Sequence, residues 1–177
     1  VRPSGFSLFE LLSALGLAGV LLALAVPSFR TFLQDARLTA DVNAFVLAVQ
    51  LARSEVAKRG RTVVVCRTLD RAHCDAEDGT ARGFMVFVNV DDRYPPSRDD
   101  AEPLLYAHAP QINGFVIANR SYFEFRPWPR RSTNGTVVFC DGRGAAAARA
   151  VIVSYTGRPR IDRRAADGTP LTCAGFL

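Results

Sequence analysis

The hydrophobic pattern divides the chain into three stretches. Leu11 to Val26 is almost wholly Leu, Ala, Val and Gly, and after Glu10 no charge appears until Arg30. This uncharged stretch is close to the ~20 residues that cross a bilayer. From Arg30 the pattern turns amphipathic. Leu38, Val42, Phe45, Val49, Ala52 and Val56 recur at spacings of three and four and form one helical face, while Arg37, Asp41, Arg53 and Glu55 populate the others. Residues 6 to 59 therefore read as one long helix. Gly16 and Gly19 soften its apolar half. Pro27, which lacks an amide donor, should kink it, and Gly60 is the stop.

After Gly60 the pattern changes to strands. Thr62 to Cys66 is short and β-branched. Gly83 to Val90 alternates Phe84, Val86 and Val88 against Met85 and Phe87. Leu104 to Ala107, Phe115 to Ala118 and Tyr122 to Phe125 follow, then Thr136 to Cys140, Ala150 to Tyr155 and a short strand at Arg160 and Ile161. Turn-rich segments, among them Asp91 to Pro103 and Asn134-Gly135, separate them. A helix followed by antiparallel strands is an α+β layout: a long N-terminal helix packed on an antiparallel β-sheet domain. The chain shows no internal repeat. Its 177 residues leave enough beyond the helical stem for one globular domain.

Glu10 is the one charge near the head of the apolar run, and a charge in a membrane span is costly and by default marks function. A secretory signal has its basic region first, then the apolar core, then a small-residue cleavage site. Here Ser4-Gly5 precedes the apolar run, so cleavage after Gly5 would leave that helix on the mature chain. The arrangement Gly5, Phe6, Ser7, Leu8, Phe9, Glu10, Leu11, Leu12, with Pro27 at the far end, resembles the class III signal of type IV pilins and type II secretion pseudopilins. The resemblance implies a leader over 1–5, with Arg2 on the cytoplasmic side, and a membrane and pilus-core helix over 6–29. Residues 30–177 would form the head. It also implies cleavage between Gly5 and Phe6 by a prepilin peptidase, N-methylation of Phe6, and pairing of Glu10 with the Phe6 amine of a neighbouring subunit. The physics agrees, since cleavage creates that amine and a buried carboxylate requires a cationic partner.

The later strands carry a second resemblance. Thr133-Asn134-Gly135-Thr136-Val137-Val138-Phe139-Cys140-Asp141 and Val151 to Ile161 resemble the GspH/FimT branch of pilin-like proteins. This implies the type IV pilin-like fold and a minor pilin or minor pseudopilin that sits at or near the fibre tip and helps to start assembly. Such a protein is a single-pass inner-membrane protein with its head in the periplasm, at the cell surface when assembled. Its partners are other major and minor pilins, or pseudopilins, and the prepilin peptidase; no cofactor is implied.

Charge sharpens the choice between these. The net charge is +5, and 21 of 22 basic residues are Arg, Lys58 being the exception. Arg is the better bidentate partner for phosphate, although genomic base composition also produces such an excess. Gly157-Arg158-Pro159-Arg160 resembles the Gly-Arg-x-Arg motif of DNA-binding FimT-like minor pilins, where it lies in a C-terminal tail. Gly157 permits a tight turn. Arg158 and Arg160, two apart in an extended segment, share one side, and Arg163 and Arg164 follow. Residues 120 to 164 hold ten arginines against Glu124, Asp141 and Asp162, a balance of +7, so the rest of the chain is net acidic. This is the footprint of a phosphate-backbone binder. The expectation is a minor type IV pilin that binds double-stranded DNA without sequence specificity for uptake in natural transformation. The alternative is a minor pseudopilin of a type II secretion system without DNA affinity. Trp128 and Tyr155 offer stacking on single strands, with a core or turn position as the simpler reading.

Four cysteines in an exported chain read as two disulfides, with three possible pairings. Cys66–Cys74 with Cys140–Cys173 is favoured because each bond then holds a segment of weak core signal. A metal site at His73 and Cys74 lacks the tight paired spacing zinc favours, so no metal is expected. Asp91, Asp92, Asp99, Asp100 and Glu102 do not match a calcium loop and read as a solvated acidic loop. With His73 and His108 the only histidines and no nucleophile, phosphate-loop or metal-protease motif, no enzyme activity is expected. One prediction follows from the signal: replacing Gly5 with Trp should leave the precursor uncut on an immunoblot of whole cells, and normal processing of that variant would refute the assignment.

Overall fold

In the computed structural model one helix, α1, runs from Leu8 to Arg59, and eight strands follow it among the described residues. The structure describes residues 7–70, 72–74, 83–109 and 115–173; Gly5 and Phe6 lie outside them. The chain divides into two units between Ala36 and Arg37. In the first, α1 continues through Pro27, and the hydroxyls of Ser28 and Thr31 donate to the carbonyls of Leu24 and Pro27. Its large apolar side chains, Leu11 to Phe32, are exposed. It is apolar and long enough to cross a membrane.

In the second unit the strands form two antiparallel four-stranded sheets. The first has the order β3 (Leu104–His108), β2 (Gly83–Asn89), β1 (Thr62–Thr68), β5 (Tyr122–Phe125). The second has the order β4 (Phe115–Ala118), β6 (Gly135–Cys140), β7 (Arg149–Val153), β8 (Pro159–Asp162). The expected helix and strands are all present. Two features differ from the sequence reading: the strands form two sheets, and β7 stops at Val153, because Ser154 and Tyr155 belong to the turn into β8.

The main core lies where the C-terminal half of α1 meets one face of both sheets. Leu38, Val42, Phe45, Ala48, Val49, Ala52 and Val56 pack with Val63, Val65, Phe84, Val86, Phe123 and Phe125 of the first sheet and Val137, Phe139, Val151 and Val153 of the second. The Phe45 ring lies 5.1 Å from Phe84, 6.0 Å from Phe123 and 5.9 Å from Phe139, edge-on to each. Edge-to-face geometry suits the ring quadrupole.

The opposite faces of the sheets are also apolar and buried. Val64, Cys66, Met85 and Phe87 form a second cluster beneath Cys74 and Tyr122. Ile117, Val138, Cys140, Ala148, Ala150 and Leu171 form a third with Cys173. The alternation read in β2 is real as geometry, but both of its sets are buried. Each disulfide joins one of these outer faces to the segment covering it: Cys66 is bonded to Cys74, and Cys140 to Cys173.

Asp41 and Glu55, assigned from spacing to the polar faces of the helix, are buried instead. Glu55 accepts from Lys58 Nζ at 2.9 Å and Arg59 Nε at 2.6 Å. Its carboxyl is held below the usual range, chiefly by the Arg59 hydrogen bond. Asp41, fully buried, has Oδ1 at 2.8 Å from His108 Nε2 on β3, which ties α1 to the edge of the first sheet. A buried carboxylate that loses such a partner is costly. His108→Leu is therefore expected to lower stability by about 2 kcal/mol or more in denaturant unfolding. A change within a few tenths would show that the contact is incidental.

Candidate functional site

Ser7 and Glu10 form a reciprocal cap at the start of α1. Ser7 N–H donates to Glu10 Oε2 at 3.0 Å, and Glu10 N–H donates to Ser7 Oγ at 3.2 Å. This is a capping box, which satisfies orphan amide donors of the first turn. Ser7-Leu8-Phe9-Glu10 carries the Ser-x-x-Glu signature of this motif in the sequence. Glu10 is exposed in the single chain, so its carboxylate remains accessible to a neighbour.

The Gly157-Arg158-Pro159-Arg160 motif lies in the hairpin between β7 and β8, where Val153 pairs with Pro159 and Ile152 with Arg160. Ser154 organises the turn. Its carbonyl accepts from Gly157 N–H at 2.8 Å, its own N–H donates to the Arg158 carbonyl at 3.1 Å, and its hydroxyl accepts from Arg158 N–H at 3.2 Å. Gly157 is buried with φ of +71°, and a Cβ there would meet Phe125 at 3.0 Å and Arg53 at 3.3 Å. Its role is therefore to shape the backbone. Arg158, Arg160, Arg163 and Arg164 are exposed. Arg160 Nη1 is paired with Asp162 Oδ2 at 2.8 Å, and Arg164 Nη1 donates to the Gly168 carbonyl at 3.0 Å. Asp162 Oδ1 accepts the backbone N–H of Arg163 and of Arg164 at 2.7 and 3.1 Å.

The three acids between residues 120 and 164 each hold an arginine two positions away: Glu124 with Arg126, Asp141 with Arg143, and Asp162 with Arg160. Hydrogen bonding from Arg143 holds the Asp141 carboxyl below its usual range, so it stays charged at neutral pH. Seven arginines of the stretch remain without an ion pair among the described residues: Arg120, Arg130, Arg131, Arg149, Arg158, Arg163 and Arg164.

A groove of about 510 Å³ opens beside this turn. Its walls include Tyr94, Asn119, Arg120, Tyr122, Glu124, Arg126, Arg131 to Asn134, and Tyr155. Ser132 N–H donates to the Tyr155 carbonyl at 3.1 Å, and Thr133 N–H to the Glu124 carbonyl at 2.9 Å, which fixes the 131–134 segment against β5 and the turn. Sequence reasoning did not assemble this groove, because Tyr94, Tyr122 and Tyr155 come from three separate segments. Trp128 and Tyr155 are turn residues, 92% and 56% exposed.

In the acidic loop Asp91, Asp92, Asp99 and Asp100 are exposed, but Glu102 is not. Glu102 is buried and accepts from Val90 N–H at 2.7 Å and Asp99 N–H at 3.3 Å. No cluster able to hold a metal ion occurs among the described residues. Gly157→Ala is expected to cost about 1–3 kcal/mol in equilibrium unfolding, from positive φ and the Phe125 contact. A variant as stable as the parent would mean that the turn does not depend on this glycine.

Comparison with known proteins agrees with the fold. A profile of the family described as Type II transport protein GspH matches residues 41–157. The chain is 28% identical over 176 residues to the pilin-like protein PilA1 of Thermus thermophilus, covering 89% of this chain and 97% of that one. The crystal structure of the type IV minor pilin FimU of Pseudomonas aeruginosa superposes with a TM-score of 0.52 at 16% identity, covering 76% of this chain and 98% of FimU. Proteins of this group are structural subunits that assemble with other pilins or pseudopilins, and the apolar start of α1 is consistent with a single-pass membrane anchor. The chain belongs to the GspH family of type IV pilin-like proteins, the minor pilins and pseudopilins.

Proposed function

We propose that this chain is a minor type IV pilin that enters or primes a pilus through α1 and binds double-stranded DNA through its late arginines, for uptake. The observation that supports DNA binding is the set of seven arginines left without a carboxylate partner among the described residues, with Arg158 carried on a braced turn. Phosphates bound there would release condensed counterions, which makes affinity salt-dependent and sequence-independent. Among the described residues of the head the helix is the C-terminal part of α1, whose apolar face is packed on the sheets, and no separate helix is offered to read base edges in the major groove. Arg160 reaches phosphate only by exchanging Asp162, so Arg158, Arg163 and Arg164 are the stronger contacts.

On the assembly side, residues 1–5 act as the leader and 6–29 as the membrane and fibre-core segment, with the head in the periplasm and on the pilus surface after assembly. Glu10 exchanges its capping bond with Ser7 for the Phe6 amine of a neighbour, a stronger charge-assisted contact in an apolar setting. The second reading, a minor pseudopilin of type II secretion, is favoured by the description of the matching family. It requires no affinity for DNA.

The test uses the full chain in detergent micelles, with duplex binding measured by anisotropy at several salt concentrations. The DNA reading expects salt-sensitive binding, and Arg158→Ala with Arg160→Ala should weaken it and flatten the log–log salt slope by about two. A parent protein that binds no duplex at low salt leaves the pseudopilin reading.

A further inference from the structure

We propose that the groove beside the β7–β8 turn is a subsite for unpaired nucleobases, so that the head grips a single strand more tightly than a duplex. The inference rests on the DNA reading above and deepens it.

Three tyrosines carry the argument. Tyr94 and Tyr155 are 75% and 56% exposed, yet both line one concavity. Large aromatic faces left in water inside a cleft are stacking platforms awaiting a planar partner. Both are braced. The Tyr94 and Tyr122 rings meet edge-to-face at 6.2 Å. Burial, with the Tyr94 phenol beside it, pushes the Tyr122 phenol up to about 12, so it stays neutral. The Arg131 guanidinium lies 6.0 Å from the Tyr155 ring centroid, over its face. Such a pair holds the ring and adds a second planar surface for a base.

The charge of the groove fits a nucleic-acid strand. Its one acid, Glu124, is buried and held by Arg126, whereas Arg120 and Arg131 have no carboxylate partner among the described residues. The wall is also continuous with the phosphate-binding turn, because Tyr155 precedes Arg158 by three residues and its carbonyl is tied to Ser132. A strand held at Arg158 through its phosphates can therefore lay its next bases on Tyr155 and Tyr94. A duplex cannot, because its bases are enclosed in the stack and reach a cleft only by unpairing. Frayed ends and single-stranded stretches would thus be the preferred points of capture.

The experiment compares an oligo-dT strand, the same strand with abasic sites, and a duplex of equal length, all binding the full chain in detergent micelles. Tyr94→Ala with Tyr155→Ala is the test variant; both side chains are largely exposed, and an unchanged melting temperature would confirm the fold. The expected result is tighter binding of the base-bearing strand, weakened about tenfold in the variant. The abasic strand should bind the parent as weakly as the base-bearing strand binds the variant, and duplex affinity should stay within about twofold. Equal affinity for strand and duplex, unmoved by the variant, would overturn the subsite and leave the arginine reading intact. Failure of the parent to bind either form would remove both.

Discussion

The globular unit depends on a single constraint: one helical face must cover two sheets at once. Phe45 stands at the centre of that contact, with rings of β2 and β5 on one side and of β6 on the other. A fully buried aromatic side chain contributes about 1.5–3 kcal/mol through area alone. Here it also fixes the sheets relative to the helix, because interiors pack at the density of organic crystals and do not deform freely. Leu38, Val42, Val49 and Ala52 extend the same seam along the helix.

Because the helix covers only one face of each sheet, the other faces need their own cover. Short segments supply it, and neither is long enough to form a core alone. The two disulfides hold those segments in place, one on each sheet. A cross-link suits this task, since it restricts the unfolded chain and needs little apolar area from the covering residues. In this chain the cysteines thus replace a second layer of helices.

The same economy shapes the charged surface. Each acid in the arginine-rich stretch is matched locally by an arginine two positions away, and the other arginines are exposed on turns and beside strand ends, except Arg149, which is half-buried on β7 with its guanidinium on the carbonyls of Ala147 and Ala148. An edge strand with charged side chains also resists unwanted pairing with other chains. Arg160 and Asp162 put such a charged pair on β8, while Arg158, Arg163 and Arg164 at its two ends are the phosphate contacts of the proposed complex. At the other end of the chain, the Ser7–Glu10 box satisfies the first turn of α1 until a neighbour replaces it in the proposed assembly.

Much of this was legible in the residues. The apolar run, the spacing of Leu38 to Val56, and the β-branched runs at Thr62 and Thr136 specified element type and order, because local periodicity reflects which face meets the core. The arginine motif and the cysteines were equally visible. Three things were not. The division of eight strands into two sheets depends on pairings between distant segments, such as β1 with β5, which no local pattern encodes. The burial of Asp41 depends on His108, 67 positions away, so a carboxylate that spacing assigned to solvent lies in the core. The tyrosine groove brings together Tyr94, Tyr122 and Tyr155, each unremarkable in its own segment. The sequence by itself determined the helix, the strands and the charge balance, since these follow from short-range periodicity and composition. Tertiary structure alone decided which charges are neutralised and which aromatic faces share a cleft, because both depend on distances between residues far apart in the chain.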